Sequence, residues 1–276
     1  MHTFTTTIAL QNYLQGLQGK TIGFVPTMGA LHVGHLSLIE RSIAETDITV
    51  ASIFVNPTQF NNTADFDKYP RTIADDRTML ERAGCHILYA PETPAEVYNG
   101  YTMQTFDFAG LDSSMEGYFR PGHFQGMANV VFRLFDIVNP NKAFFGEKDY
   151  QQLALVRHMA AKHFPALEVV ACDTLRESDG LAMSSRNRRL SDDERVISSN
   201  IPRILNSAKE HNITDAKQLK LWVEGEFAMV PGIRLEYFEI ADGNSLQVVD
   251  KVNSDSRMFI AAYVGDVRLI DNMAAQ

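Results

Sequence analysis

Two histidines three residues apart, His32 and His35, follow the run Thr21-Ile22-Gly23-Phe24-Val25-Pro26-Thr27-Met28-Gly29-Ala30-Leu31. A short apolar run that ends in Pro-Thr-Met-Gly and gives way to a helical pattern reads as strand, tight loop and helix. Positions i and i+3 share a helix face, so both imidazoles point the same way. Gly34 removes a side chain between them, where a flat group can lie against the backbone. A helix N-terminus gathers unsatisfied N–H groups and the positive end of the dipole. With two imidazoles added it suits a polyphosphate. Neither Gly-Lys-Ser/Thr nor Gly-x-Gly-x-x-Gly occurs here, so this is not a Walker loop or a dinucleotide fingerprint. A closed zinc site needs four ligands, and no cysteine or third histidine stands nearby.

Four further segments carry polar groups next to apolar runs. Asn56 and Gln59 sit in Phe54-Val55-Asn56-Pro57-Thr58-Gln59-Phe60, after the most apolar run of the chain. They suit a small substrate with hydroxyls, although Asn-Pro is also ordinary turn chemistry. Arg120 opens Arg120-Pro121-Gly122-His123-Phe124, either near a substrate or in a capped loop. In Phe144-Phe145-Gly146-Glu147-Lys148-Asp149-Tyr150-Gln151-Gln152, Lys148 stands where a strand becomes a helix and can reach a phosphate. Gln152 lies about one turn further on. Asp179-Gly180-Leu181-Ala182-Met183-Ser184-Ser185-Arg186-Asn187 is a donor-rich loop that can neutralise a leaving pyrophosphate. The His-x-x-His pair resembles the HIGH-type signature of enzymes that activate a carboxylate or phosphate with ATP. The serine-rich loop looks like the second signature of that group.

The elements that must position these residues alternate. Strands are expected over 21–25, 48–55, 86–90, 143–145 and 168–172, and helices over 33–45, 72–83, 123–138 and 150–163. Such alternation implies an α/β fold with a Rossmann-like parallel sheet, whose ligands lie at the carboxyl ends of the strands. The last part reads differently: helices over 192–210 and 215–229, then strands over 234–241, 246–249 and 258–264. That is a smaller α+β C-terminal unit. The boundary falls near Asp173 to Asp179, giving domains 1–174 and 175–276.

The chain has 276 residues, 45% hydrophobic and 21% charged, with a formal net charge of -9. The acidic balance argues against a nucleic-acid partner. The cluster Arg186-Asn187-Arg188-Arg189 is better explained as a phosphate-facing loop. Cys85 and Cys172 each adjoin an apolar run, where a buried reduced thiol is expected, and a reducing, cytoplasmic setting follows. The opening residues lack a basic, apolar leader. No apolar run reaches about 18 residues, so no membrane span is expected.

Taken together, the segments 25–35, 53–60, 69–72, 120–124, 145–153, 179–187 and 265–272 resemble the pantothenate synthetase (pantoate–β-alanine ligase) family over residues 21–272. The resemblance implies joining of pantoate to β-alanine through a pantoyl adenylate, with AMP and pyrophosphate released. It implies an ATP site at Met28, Gly29, Ala30, Leu31, His32, Val33, Gly34, His35, Gly146, Glu147, Lys148, Asp149, Leu175, Met183, Ser184, Ser185 and Arg186. His32, His35, Lys148 and Arg186 would face the phosphates, with His35 at the family's proton-donor position. Gln59 and Gln152 would hold pantoate, Gln59 would also face β-alanine, and Asn56 and Arg120 would stand behind them. Mg2+ would ride on the triphosphate with Asp75 or Asp76 as protein help. A homodimer with a C-terminal lid is implied too. Val33, Met127, Arg188 and Arg189 depart from the usual pattern. On the residues alone, nucleotide transfer to a phosphorylated acceptor, or nucleotide binding without turnover, stays open.

Overall fold

The computed structural model describes residues 1–60 and 66–276. The chain forms two compact units and crosses between them more than once. The first comprises Met1–Asp112, Arg120–Glu147 and Gln152–Asp173, and the second Ser113–Phe119, Lys148–Gln151 and Thr174–Gln276.

The first unit is built on strands β1 (His2–Phe4), β2 (Ile22–Thr27), β3 (Ile48–Ile53), β4 (Ile87–Tyr89), β5 (Lys142–Gly146) and β6 (Glu168–Cys172). Among the described residues they make a parallel sheet in the order β1-β4-β3-β2-β5-β6. A parallel sheet is covered on both faces, which is why its central strands are mostly apolar, with only small buried hydroxyls such as Thr49 and Ser52 among them. On β2, Phe24 enters one core and its neighbour Val25 enters the other. The first core takes α1 (Thr7–Gln15), α6 (His123–Val138) and α7 (Tyr150–His163). The second takes α2 (Val33–Glu45) and α3 (Ile73–Arg82). Helices α4 (Pro94–Tyr98) and α5 (Met115–Phe119) are short. The expected spans 33–45, 123–138, 150–163 and 168–172 coincide with α2, α6, α7 and β6.

The second unit holds α8 (Asp192–Ser198), α9 (Asn200–Glu210), α10 (Ala216–Ala228) and strands β7 (Ile233–Asp242), β8 (Ser256–Val264) and β9 (Val267–Ala274). These strands form an antiparallel sheet in that order. One face, with Phe238, Ile240, Ile260 and Leu269, packs on Ile204, Leu219 and Val223 of α9 and α10. On the other face Phe119 stacks on Tyr237 and Tyr150 meets Phe259.

Two expectations are corrected here, and one strand stands where none was expected. The helix over 192–210 is two helices that meet at Ser199. Pro202 has no N–H to donate and fits only a first helical turn, so a new helix must begin just before it. The strand over 246–249 is absent. Asp242 accepts from the N–H groups of Asn244 and Ser245, Leu246 turns left-handed at φ 56°, and only the bridge Ala241–Val248 forms. The third strand of the sheet is β9, the segment matched only by resemblance above.

Both cysteines are free and buried, and burial pushes each thiol up to about 11, so they are inert packing groups. No helix among the described residues is long and apolar enough to cross a membrane.

Gly126 marks the tightest approach in the first unit. A Cβ there would sit 2.2 Å from the Thr58 carbonyl oxygen. Gly126→Ala is therefore expected to destabilise by about 1–3 kcal/mol through overpacking, despite the better helix propensity of alanine. Urea unfolding of the two proteins measures the difference, and an unchanged or raised midpoint would refute this contact.

Candidate active site

The loop from Met28 to His32 leaves the carboxyl end of β2 and enters α2. Thr27 Oγ donates to Ser52 O of the paired strand and accepts from Gly29 N–H. Gly29 has φ +81° and Ala30 φ 51°, both left-handed, the second unusual for a residue with a side chain. What holds this shape is Asp76. Its Oδ2 accepts from Ala30 N–H at 2.9 Å and its Oδ1 from Leu31 N–H at 2.8 Å. Thr72 Oγ donates to the same carboxylate at 3.1 Å. A Cβ on Gly29 would come within 3.0 Å of Asp76 Oδ2, so the loop also needs that glycine.

His32 caps α2, and His35 lies in its first turn with the two ring centroids 4.0 Å apart. His32 N–H points at His35 Nδ1, 3.3 Å away. With Nδ1 accepting, a neutral His35 carries its proton on Nε2. Val33 is 57% exposed and turns its side chain to solvent, as its position between the two histidines requires.

Asn56 and Gln59 occupy the turn after β3, and their amides are fixed in sequence. Thr58 N–H donates to Asn56 Oδ1, and Tyr98 Oη donates to the same atom at 2.8 Å. Asn56 Nδ2 must then face acceptors, and it donates to Gly126 O and Gln59 Oε1. That makes Nε2 the donor end of the buried Gln59 amide, and it donates to Met28 Sδ at 3.1 Å. Asn56 is fully buried with both ends of its amide committed, so it orients Gln59 and is not shaped as a direct substrate contact. His123 adds a further brace, which the sequence reading did not single out. Its Nδ1 donates to Gln59 O at 2.7 Å, and its Nε2 lies 3.1 Å from Arg120 Nη1. A guanidinium only donates, so His123 is held as the neutral Nδ1–H tautomer.

Of the other expected residues of the first unit, Gly146 ends β5, Glu147 follows it, and Gln152 stands half-buried near the start of α7. Asp75 is exposed beside the buried Asp76. Among the described residues, no group of three His, Cys, Asp or Glu side chains is placed to hold a metal ion.

The second unit carries Lys148, Asp149, Leu175, Met183, Ser184, Ser185 and Arg186. Lys148 Nζ meets Asp149 Oδ1 at 3.4 Å. The segment 175–183 is a small hairpin: Met183 N–H donates to Leu175 O, and Glu177 N–H to Leu181 O. Ser184 Oγ then accepts from Arg186 N–H and starts a 3-10 turn over Ser185–Arg189. The hairpin is fastened by Arg195, which binds Glu177 and Asp179, and by Asn187, which donates to Glu177 and Ala182 O. Partial burial alone would push the Asp179 carboxyl up, but the Arg195 guanidinium and Leu181 N–H hold it below the usual range.

The Asp76 anchor has a direct test. Asp76→Asn keeps the volume but turns an amide N–H toward the N–H of Ala30 or Leu31. The expected loss is about 1–3 kcal/mol, the cost of a buried donor left unpaired. Amide exchange at Ala30 and Leu31 should quicken while that of Val50 in β3 does not. Unchanged exchange at both loop amides would show that the carboxylate does not hold the loop.

Known proteins share this arrangement. A family model described as pantoate-beta-alanine ligase matches residues 2–274. The pantothenate synthetase of Bacteroides fragilis is 49% identical over 262 residues, covering 93% of this chain and 92% of its own. The crystal structure of pantothenate synthetase from Thermus thermophilus superposes with a TM-score of 0.93 at 39% identity, over 100% of this chain and 99% of that one. The Francisella tularensis pantoate-beta-alanine ligase, solved with beta-gamma ATP and beta-alanine, gives 0.85 at 35% identity, over 100% and 98%. A match of this extent, on a sheet and a signature loop already visible in the geometry, makes the chain a member of the pantoate–β-alanine ligase family.

Proposed function

We propose a division of labour among these side chains for the family's reaction, the ATP-dependent condensation of pantoate with β-alanine. A carboxylate is a poor electrophile until one of its oxygens becomes a good leaving group. Adenylation supplies that: pantoate attacks the α-phosphate, pyrophosphate leaves, and the amine of β-alanine then displaces AMP. The first step needs donors and cations at the phosphoryl and leaving-group oxygens that carry the negative charge, not a protein nucleophile.

The observation that carries the assignment is the 28–35 loop, braced from behind by Asp76 and followed by two imidazoles at a helix start. Residues 28–35 bind the nucleotide, and His35 presents its Nε2–H to the phosphates. Gln59 presents amide N–H bonds to pantoate, which is rich in acceptor oxygens, and Gln152 joins it. Gln59 also faces β-alanine. Asn56, His123 and Arg120 hold that turn in place. Gly146, Glu147, Asp149, Leu175, Met183, Ser184 and Ser185 complete the nucleotide contacts, while Lys148 and Arg186 neutralise the phosphates.

Asp76 does not fit a magnesium ligand, because both of its oxygens already accept backbone N–H groups in a buried setting. Mg2+ is assigned to the triphosphate itself, where it lowers the charge of the leaving pyrophosphate. Asp75 is exposed and is the carboxylate of that pair which solvent-borne Mg2+ can approach. The protein works in the cytoplasm and assembles as a homodimer, as the family resemblance implies.

Pyrophosphate exchange into ATP, with magnesium and D-pantoate but without β-alanine, tests the first half-reaction. His35→Ala and Lys148→Ala should each slow exchange by about 10²–10³-fold, the loss typical of one preorganised donor. Their unfolding midpoints should stay near wild type. Wild-type exchange in both variants would remove these residues from the mechanism.

A further inference from the structure

The last strand, β9, is an edge strand whose polar residues break an otherwise apolar pattern: Arg268, Asp271 and Asn272. Edge strands are often blunted by charged side chains, exposed or inward-pointing. Asp271 and Asn272 are 3% and 5% exposed. Each is engaged by a segment that the proposed function assigns to ATP.

Adjacent residues of a strand project to opposite faces of the sheet. Asp271 pairs across the ladder with Ile260, on the face that packs against α9 and α10. There its two oxygens take the Arg176 guanidinium as a fork, at 2.7 and 3.0 Å. Arg176 also donates to Gly180 O and bridges to Ala182, so this fork fixes both strands of the hairpin that leads into Ser184-Ser185-Arg186. Asn272 pairs with Phe259, on the other face. There its Nδ2 donates to the carbonyl oxygen of Lys148 at 2.8 Å. Tyr150 meets Phe259 beside it and Arg257 covers the Tyr150 ring, so the short excursion 148–151 is pinned at both ends. Arg268, on the same face as Asn272, grips Glu116 with two nitrogens and so docks the excursion 113–119.

We propose that Asp271 and Asn272 are positioning residues that aim the two ATP-facing cationic segments, each from its own face of the terminal strand. Asp271 sets the serine-rich loop and Arg186. Asn272 sets Lys148. Neither touches substrate. The proposal rests on the reading that Lys148 and Arg186 bind the phosphates.

Crossed double-mutant cycles in the pyrophosphate exchange assay test it. Asn272→Asp removes the donor to Lys148 O and should raise the KM for ATP by about 3–10-fold, the worth of one such hydrogen bond. In a Lys148→Ala background it should add nothing, yet keep its full effect in an Arg186→Ala background. Asp271→Asn loses the fork and should behave in reverse, silent in Arg186→Ala and fully effective in Lys148→Ala. A purely structural loss would show equal effects in both backgrounds, and that result overturns the proposal. Should either change prevent folding, Asn272→Ser and Arg176→Lys probe the same two contacts. Impaired Lys148→Ala beside wild-type kinetics in the Asn272 variant overturns this proposal alone. Wild-type kinetics in Lys148→Ala and Arg186→Ala overturns the phosphate reading and the proposal with it.

Discussion

Two backbone N–H groups, those of Ala30 and Leu31, converge on the buried carboxylate of Asp76, and the shape of the first unit's candidate site follows from that contact. The left-handed turn at Ala30 is costly for a residue with a Cβ and persists only where its surroundings over-determine it. Asp76 supplies the constraint from α3, forty-odd residues along the chain, with Thr72 fixing the carboxylate in turn. Because the two N–H groups point inward, the opposite side of the loop is left to face a ligand. The same turn delivers His32 to the start of α2, where helix dipole and imidazoles reinforce one another. A carboxylate so close to a loop proposed to bind phosphate would repel that ligand if it were exposed. Burial and its hydrogen bonds turn it into a structural acceptor instead.

A second constraint sets chemical polarity. An amide side chain can donate or accept, and which it does toward a substrate decides what it recognises. At Gln59 the choice is forced by two unambiguous partners of Asn56, the Thr58 N–H and the Gly126 carbonyl. His123 is similarly pinned between a carbonyl and a guanidinium. Gly126 matters because its missing Cβ lets α6 approach the turn closely enough for these bonds to form. Such networks are strong only when every member is satisfied, which is why they rest on buried backbone groups.

The signature loop, the long amphipathic helices and the apolar strands were legible because each follows a single local rule. The strands β2, β3 and β5 read as short, mostly apolar runs, and α6 as a stripe from Val130 to Val138. What escaped was set by tertiary contacts. Asp76 read as a metal ligand, since a pair of acids in a first helical turn gives no hint that one is buried. His123 was visible only as part of Arg-Pro-Gly-His, whereas its partner Gln59 lies sixty-four residues away. The break at Ser199 was readable from Pro202. The strand β9 was missed for a more instructive reason. Its Asp271 puts a charge on the apolar face while Ile270 puts an apolar residue on the other, which spoils the alternation that marks a strand, and Asp271 does so because it serves the Arg176 hairpin.

Charge explains how an acidic chain presents cations. The net charge is -9, yet the carboxylates nearest the functional segments of the second unit are matched by arginines: Glu116 and Glu236 by Arg268, Asp271 by Arg176, and Glu177 and Asp179 by Arg195. These arginines are spent on architecture, so the electrostatics of binding falls to other groups. Lys148 is held differently. Its ion pair is with its neighbour Asp149, a 3.4 Å contact in which the lysine side chain is 17% and the carboxylate side chain 47% exposed. A single contact of that length to a half-exposed neighbour is weaker than the shorter charge-assisted arginine pairs. A polyphosphate carries more charge than one carboxylate and can take the ammonium from it, while the Lys148 backbone stays fastened to Asn272. The side chain can thus change partners while the Lys148 carbonyl keeps its bond to Asn272, which limits the reorganisation that electrostatic stabilisation would need.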